Sequence, residues 1–231
     1  MVLTLIIAES SIERVPSKIQ NHQSVLNWAR RKKKSPDQLI LDQNYHYAAM
    51  RRLGDDPQRG RPDIAHLGLL AALGSPLNLD GHLRCIVHTR EDKIIRVNPK
   101  ARLPRNTDRF VSLLEQLYEQ GHVPITGIPL LALEDALLSR VVSELNSELV
   151  IALSTEGEPK SMMEIASMMT TEKEPIVLVG GFSSGHFSRR VLDEADSVYR
   201  IDKRSLEAWT VVARAIYDYE RTLPKRETML N

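Results

Sequence analysis

Apolar positions along the 231-residue chain fall into short β-branched runs and longer stretches with helical spacing. Short apolar runs bounded by turn residues predict buried strands. Such runs occupy residues 2–8, 38–42, 83–89, 93–99, 148–154, 175–181 and 197–201. Apolar residues three and four positions apart predict helices. This spacing occurs in residues 17–34, 64–73, 107–120, 131–145, 161–169, 189–195 and 205–220.

The order of these elements predicts the fold class. From residue 148 onward strands alternate with helices, which indicates βαβ units and a parallel sheet with helices on both faces. We therefore predict an α/β fold with a mostly parallel sheet. The chain has no repeat and no low-complexity linker, so we predict a single domain of residues 1–223 with an inserted β-hairpin region around residues 83–105. Residues 224–231, "PKRETMLN", are expected to form a flexible tail.

Composition narrows the class of protein. With 42% hydrophobic and 26% charged residues, the chain is typical of a globular protein and not of a disordered or fibrous one. No apolar run approaches the ~20 residues that cross a bilayer, and the N-terminus lacks a basic leader with a cleavage site. We therefore expect a cytoplasmic protein without a membrane partner. The single Cys85 and seven histidines without an H-x-x-x-H pair argue against disulfides and a metal site.

The net charge of +1 conceals local clusters of basic residues. Residues 30–34 form an unbroken basic run, and residues 96–109 contain five further cations. Because polyanion binding depends on a local patch, the near-neutral total does not exclude an RNA partner. For residues 30–34 a solvated helix end is the simpler interpretation. An RNA-binding hypothesis covers five other arginines: Arg59, Arg61, Arg102, Arg105 and Arg109.

The segment "IVLVGGFSSG", residues 176–185, follows a predicted strand and precedes a predicted helix. Residues 181–185 match the G-x-S-x-G pattern of a hydrolase nucleophile elbow. The one histidine after Ser183 is His186, which is too close in sequence to act as its base, so we disfavour a hydrolase. A phosphate loop lacks its G-K-[ST] and G-x-G-x-x-G spacings. A tight turn stays open, as does a glycine loop whose backbone approaches a flat group such as adenine.

Three segments in this order resemble a known family: "RGRPDIAHLGLLAALGSPLN", "IIRVNPKARLPRNTDRFVSLLEQL" and "IVLVGGFSSG". They are similar to the archaeal and eukaryotic ribosome-biogenesis methyltransferases of the SPOUT class, which methylate N1 of a pseudouridine in small-subunit ribosomal RNA. The resemblance extends from the first strand to about Glu220. Gly74 replaces an expected aspartate, and the last loop, "YRIDKRSLEAW", keeps only the leucine and the following alanine of the usual pattern.

The resemblance implies a C-terminal deep trefoil knot, a homodimer packed through knot helices, and S-adenosylmethionine as the methyl donor. It implies contacts with small-subunit rRNA from Arg61, Arg102, Arg105 and Arg109, with Arg59 as a further candidate. It also implies cofactor contacts, made mainly by the backbone, from three loops: Leu153, Ser154, Thr155, Gly180, Gly181, Phe182, Gly185, Ile201, Asp202, Lys203, Arg204, Ser205 and Leu206.

The implied reaction needs neither a metal nor a covalent nucleophile, because the sulfonium of the donor is already activated and the enzyme mainly positions the reactants. Two roles are open for Asp63: it accepts the proton of the target nitrogen, or it orients Arg61, which we prefer. The predicted function is methylation of N1 of a pseudouridine during small-subunit biogenesis, with other ribosome assembly factors as further partners. The alternative is a non-catalytic assembly factor that binds pre-rRNA through its arginines.

Overall fold

The computed structural model describes residues 1–54 and 56–223. Its strands are β1 (Leu3–Ser10), β2 (Leu83–Thr89), β3 (Lys93–Val97), β4 (His122–Val123), β5 (Leu131–Asp135), β6 (Val150–Pro159), β7 (Ile176–Gly180) and β8 (Ser197–Arg200). Its α-helices are α1 (Gln23–Lys32), α2 (Gln43–Met50), α3 (Pro62–Leu73), α4 (Pro76–Leu79), α5 (Thr107–Gln120), α6 (Leu138–Leu145), α7 (Met162–Met169), α8 (Arg189–Leu192) and α9 (Ala208–Thr222). The predicted tail, residues 224–231, lies outside the described residues.

These strands form one sheet in the order β4-β5-β3-β2-β1-β7-β6-β8. From β2 to β8 every neighbouring pair is parallel, and β3, β5 and β4 extend the β2 side as antiparallel strands. At the centre, Ile6 of β1 lies opposite Ile86 of β2 and Leu178 of β7. The predicted α/β fold with a mostly parallel sheet is therefore confirmed, and the predicted hairpin corresponds to β2 and β3.

Alternating side chains of β1 enter two different cores, as the two-residue period of a strand requires. Leu5 and Ile7 pack in the core that contains α3, α5, α7 and α9. Ile6 packs in the other core, with Val141 of α6 and Val191 of α8. Helices thus cover both faces of the sheet, as predicted.

The helix ends follow local sequence signals. The α3 helix begins two residues before its predicted start because Pro62 occupies the first turn, where a missing N–H costs nothing. The N-cap of α5 is Asn106, directly before the predicted helix, since Asn106 Oδ1 accepts a hydrogen bond from the Arg109 N–H. Gly121 ends α5 with φ +75°, a left-handed conformation that glycine adopts without strain.

Three predicted elements differ from the structure. The predicted helix 17–34 is a 3-10 turn, Ser17–Ile19, followed by α1. Residues 38–42, predicted as a strand, lie outside the sheet. A single bridge joins Ile40 to Arg14, and the two leucines of this segment pack in a small separate core. The predicted helix 131–145 begins with strand β5, which pairs with β3, so only its second half is helical.

The carboxyl ends of β6, β7 and β8 lie side by side, because these strands are parallel neighbours. The end of β6 also bends around β8, since Tyr199 is the register partner of both Leu153 and Glu158. Loops after parallel strands meet at the same edge of a sheet, where ligands bind in α/β folds. Within residues 1–54 and 56–223, no helix has the length and apolar character that crossing a membrane requires.

Candidate functional site

The loops that follow β6, β7 and β8 border a cleft that is partly open to solvent, with about 740 Å³ of space not filled by atoms. Its walls include apolar side chains from all three strand ends, such as Leu153, Val179 and Ile201. Ala208 and Val211 of α9 close one side. The cleft therefore combines an apolar interior with a rim of loop backbone.

The glycine loop after β7 is shaped by close contacts. A Cβ on Gly180 would lie 2.8 Å from the ring of Phe182, and Gly185 has φ +93°, so a larger residue at either position would strain the loop. Ser183 Oγ donates a hydrogen bond to the carbonyl of Pro57 at 2.7 Å. His186 instead lies 3.5 Å from Glu156. Ser183 is thus a structural donor without a base among its described partners, which removes the hydrolase alternative.

The loop that precedes α3, residues 56–60, packs directly on the glycine loop. The side-chain amide of Gln58 donates to the carbonyls of Ser184 at 3.0 Å and His186 at 3.4 Å. The backbone carbonyl of Gln58 accepts from Ser11 Oγ at 2.7 Å. The position of the glycine loop therefore depends on a segment more than a hundred residues away in sequence.

The rim of the cleft carries charges of both signs, with Arg200 and Arg204 beside Asp202 and Glu207. Arg204 donates to both oxygens of Asp202, from Nε at 3.0 Å and from Nη2 at 3.1 Å, and this pairing lowers the pKa of Asp202 below its usual range. Glu207 lines the same cleft. The charge of Asp202 is therefore largely offset by Arg204, and Glu207 is, among the described residues, the lining carboxylate without this compensation.

Arg61 and Asp63 form a bidentate pair at the start of α3, with both N···O distances 2.8 Å. This hydrogen bonding raises the pKa of Arg61, and the charge of Glu207 adds to the effect. Both side chains remain about one-quarter exposed. Asp63 therefore holds Arg61 in a fixed orientation. The Arg61 guanidinium is also near enough to the cleft for the charge of Glu207 to act on it.

Arg59 differs from Arg61 in its surroundings. Its Nε donates to Oε1 of Glu13 at 2.9 Å, and its Nη2 contacts the other carboxylate oxygen. Glu13 is 1% exposed, and Arg90 provides a second positive charge beside it. The Arg59 guanidinium therefore neutralises the buried carboxylate of Glu13, which it contacts through its Nε and Nη2 atoms.

The other predicted RNA-binding residues lie before and within the first turn of α5. Arg102, Arg105 and Arg109 are exposed, and none of them pairs with a carboxylate in the described part of the chain. The loop that carries them is fixed to α3 by His66, whose Nε2 contacts the Pro104 carbonyl at 2.6 Å. Burial lowers the pKa of His66, which favours its neutral form.

The structure brings together most of the predicted cofactor residues. Gly181 does not line the cleft, because its N–H and carbonyl bond to Ala8 and Ser11, and Lys203 does not line it either. The predicted residues that do line it are Leu153, Ser154, Thr155, Gly180, Phe182, Gly185, Ile201, Asp202, Arg204, Ser205 and Leu206.

Sequence reasoning missed several functional neighbours. Glu207 and Val211 line the cleft. Both follow the predicted cofactor loop of residues 201–206 closely in sequence, so the sequence could have indicated them. Gln58 and His66 act through contacts far along the chain, for which the local sequence gives no signal. Among the described residues, no group of three or more His, Cys, Asp or Glu side chains could hold a metal ion.

Comparison with known proteins identifies the family. A family model described as EMG1/NEP1 methyltransferase matches residues 5–220. The chain belongs to this family. A curated EMG1/NEP1 relative, "Ribosomal RNA small subunit methyltransferase Nep1" of Thermococcus kodakarensis, is 44% identical over 96% of this chain and 99% of its own length. The protein of the same name from Pyrococcus furiosus is 43% identical over 94% of this chain and 96% of its own length.

A solved EMG1/NEP1 structure has the same fold. Nep1 of Archaeoglobus fulgidus bound to S-adenosylhomocysteine superposes with a TM-score of 0.85 at 32% identity, covering 96% of this chain and 99% of that chain. Sequence and structure thus agree on the EMG1/NEP1 family over nearly the whole chain.

Proposed function

We propose that this protein is a methyltransferase that uses S-adenosylmethionine to methylate N1 of a pseudouridine in small-subunit ribosomal RNA during ribosome biogenesis. One observation carries the proposal: the cleft at the ends of β6, β7 and β8, with Arg61 at the start of α3 beside it, occurs in a chain of the EMG1/NEP1 methyltransferase family. The named relatives are small-subunit rRNA methyltransferases, and the superposed Nep1 carries S-adenosylhomocysteine.

The cleft residues suit this cofactor. The apolar walls and loop backbone fit a flat adenine ring, and the carboxylate of Glu207 suits the positive charge of a sulfonium. S-adenosylmethionine supplies a methyl group on a positively charged sulfur, which is already activated for displacement. The residues of the chain therefore need to hold and orient the reactants and to exclude water.

The arginines serve the RNA. A target base turned out of its stack must reach the methyl donor, and we assign the phosphate contacts that hold it to Arg61, Arg102, Arg105 and Arg109, with Arg59 bracing the adjacent loop. Methyl transfer to N1 would require the proton on N1 to leave and would convert S-adenosylmethionine to S-adenosylhomocysteine. Because both oxygens of Asp63 accept from Arg61, we assign Asp63 to orienting Arg61.

We also propose the C-terminal trefoil knot and a single domain of residues 1–223 with the hairpin region 83–105 as an insertion. The path of β6 supports the knot: a Cβ on Gly157, which lies between the two parts of β6 that pair with β8, would lie 2.6 Å from the backbone of Tyr199. The continuous sheet supports one domain.

A homodimer is the proposed assembly. Its support is an apolar groove between α3 and α9, where Leu67 and Tyr217 are 37% and 60% exposed. For contacts with other ribosome assembly factors we propose the loop between β4 and β5, whose Ile125 and Ile128 are 60% and 79% exposed. The proposed location is the cytoplasm, where cells without a nucleus assemble their small subunits.

Two measurements test the function. Isothermal titration with S-adenosylmethionine tests the cleft, and absence of binding by folded protein would contradict the proposal. The second incubates the protein and cofactor with a hairpin that contains pseudouridine, and detects N1-methylpseudouridine by mass spectrometry of the nucleosides. The same hairpin with uridine is the control and should stay unmethylated. Tight binding of the hairpin without methyl transfer would instead support the assembly-factor alternative.

A further inference from the structure

Positive charge is concentrated at the C-terminal end of α1. Arg30, Arg31 and Lys33 are exposed there, and no carboxylate of the described residues pairs with any of them. Part of this charge stabilises the helix end, where backbone carbonyls are unpaired. Three exposed cations without partners also produce a local positive potential. We call these three residues the α1 basic surface.

Two lysines of the same run fix this helix end against α5. Lys32 Nζ donates to Ser112 Oγ at 2.6 Å, and Lys34 Nζ lies 3.2 Å from Oε2 of the buried Glu115. Ser112 lies one turn after the first turn of α5, where Arg109 is found. The α1 basic surface is therefore a neighbour of the α5 arginines, although the two are about 75 residues apart in sequence.

An aromatic pair makes this placement rigid. Trp28 of α1 stacks on Tyr45 of α2 with 3.5 Å between ring centroids and 10° between planes. Tyr45 donates from its hydroxyl to Asp108 of α5 at 2.7 Å. The guanidinium of Arg31 lies 5.9 Å from the Trp28 ring centre, within the range of cation–π attraction. Packing thus sets where the cations of α1 lie relative to α5.

The same region connects to the cleft. The backbone N–H of Gln43 at the start of α2 donates to the Gly60 carbonyl of the loop before α3 at 2.9 Å. In α3, Nδ1 of His66 lies 3.3 Å from Oγ1 of Thr107 at the start of α5. The N-terminal ends of α2, α3 and α5 therefore lie close together. The backbone N–H of Arg61 donates to the Ser11 carbonyl at 3.2 Å, and the Ser11 N–H donates to the Gly181 carbonyl of the glycine loop at 3.0 Å. Positively charged side chains thus form a line along the surface, from Arg61 beside the cleft, past the arginines at the start of α5, to the α1 basic surface.

We infer that the α1 basic surface binds phosphates of the RNA that flanks the target nucleotide. The inference rests on the proposed function, and it adds a contact region to the arginines already assigned. Because α1 lies at the far end of this line of cations, its contacts hold the flanking RNA and leave the reacting base untouched. Loss of these contacts therefore weakens RNA binding and raises the KM for RNA, while kcat at saturating RNA stays unchanged.

The test compares three variants with the unmodified protein. The triple variant Arg30→Gln, Arg31→Gln, Lys33→Gln removes the surface. The charge control Arg140→Gln, Arg189→Gln, Arg190→Gln removes as many cations from α6 and α8, on the opposite face of the sheet. The conservative variant Arg30→Lys, Arg31→Lys keeps the charge. Affinity for a pseudouridine hairpin with an extended stem is measured at several salt concentrations, beside thermal melting and titration with S-adenosylmethionine.

The surface triple variant should bind the extended hairpin about tenfold more weakly at 0.1 M salt, with the slope of log K against log salt reduced by about two to three. The charge control and the conservative variant should keep the original slope, and all should bind the cofactor equally. If the triple variant does not fold, Arg30→Gln and Arg31→Gln singly should each lower the slope by about one.

Two results would overturn the inference: an unchanged slope in the surface variant, or an equal loss in the charge control, which would mean that only net charge acts. Failure of the proposed function gives a different result. If the unmodified protein binds RNA and transfers no methyl group, the proposed function fails and the slopes of the variants still report on α1. If it binds no RNA at any salt concentration, the inference fails as well.

Discussion

Guanidinium groups in this protein differ in what holds them. Arg59 is bound to the buried carboxylate of Glu13, and removal of either partner would leave a buried charge uncompensated. Arg61 is bound to Asp63 at the surface and keeps part of its fork exposed. Arg109 is exposed without a carboxylate partner among the described residues. Arg59 therefore mainly supports the fold, whereas Arg61 and Arg109 keep their positive charge available to a phosphate.

The pair of Arg61 and Asp63 gives a prediction that separates the two roles of Asp63. In Asp63→Asn one charged acceptor is lost and Arg61 is held less firmly, so we expect RNA affinity to fall about tenfold, or ~1.4 kcal/mol, with kcat little changed. Arg61→Lys should behave similarly, because an ammonium cannot form the bidentate pair. Filter binding and steady-state kinetics measure both effects. A loss of kcat of a hundredfold or more with normal RNA affinity would assign Asp63 as the base.

His46 predicts how stability depends on pH. Burial lowers the pKa of His46 from 6.5 to about 4. Between these two pH values the His46 side chain is protonated in the unfolded chain and neutral in the folded protein. This stability is fully present above pH 6.5 and is lost as pH falls toward 4. We expect the free energy of unfolding in urea to fall by about 2 kcal/mol between pH 7 and pH 5 from His46. In His46→Gln the decrease should shrink by about this amount, and an unchanged decrease would contradict the assignment.

At the scale of elements, the glycine loop after β7 depends on the loop before α3. Gln58 reaches across to the carbonyls of Ser184 and His186, and Ser183 returns a hydrogen bond to Pro57. The loop that leads into Arg61 and the loop that lines the cleft therefore support each other. A substitution in one loop is therefore expected to change the conformation of the other.

The change Gln58→Ala tests this support. It removes two hydrogen bonds to the glycine loop, each worth about 0.5–1.5 kcal/mol, so we expect affinity for S-adenosylmethionine to fall about three- to tenfold. Gln20→Ala is the matched control, because the Gln20 amide also donates to a backbone carbonyl, that of Val15, outside the cleft. Titration calorimetry measures both variants. Equal affinity in the two would show that the glycine loop keeps its shape without Gln58.

Much of the parallel half of the fold could be predicted, because its buried strands and amphipathic helices carry local periodicity. Residues 131–135 could not, since Leu, Ala and Glu favour a helix locally, whereas pairing of Leu133 with Ile95 of β3 places them in the sheet. The leucines of residues 38–42 resemble a strand because they are buried, yet they pack in a small core. Helix α2 was missed because its sequence, "QNYHYAAM", has little amphipathic pattern.

The site was predictable to a similar extent. The family motifs located the cleft loops, since these directly follow recognisable strands. The sequence did not show that Arg59 meets Glu13, 46 residues away, or that His66 holds the Pro104 carbonyl, 38 residues away. Such contacts depend on how the elements pack, and local patterns contain no information about them.

At the scale of the whole molecule, α3 and α9 pack together beside the cleft and leave an apolar groove on their outer side. The groove is lined by Leu67, Ala71, Trp209, Ala213 and Tyr217, among others. Apolar surface of this kind is expensive to leave in water and is typical of an interface. Its position next to α9, which also closes the cleft, would place a second copy of the chain near the cofactor.

A charged residue in this groove should prevent assembly. In Leu67→Asp the partner copy would have to bury a carboxylate without a counter-charge, so we expect the proposed dimer to dissociate at micromolar concentration. Leu137→Asp is the control, because Leu137 is also exposed, at 54%, but lies outside the groove. Analytical ultracentrifugation gives the mass of each. A variant at Leu67 that sediments like the unmodified protein would place the interface elsewhere.

The two outer strands of the sheet are short. On one side β4 has two residues and is followed by Pro124, which has no N–H to offer. On the other side β8 has four residues, and its end is already enclosed by the bend of β6. Little unpaired backbone is therefore presented to the strands of another molecule, which protects the folded protein from edge-to-edge aggregation.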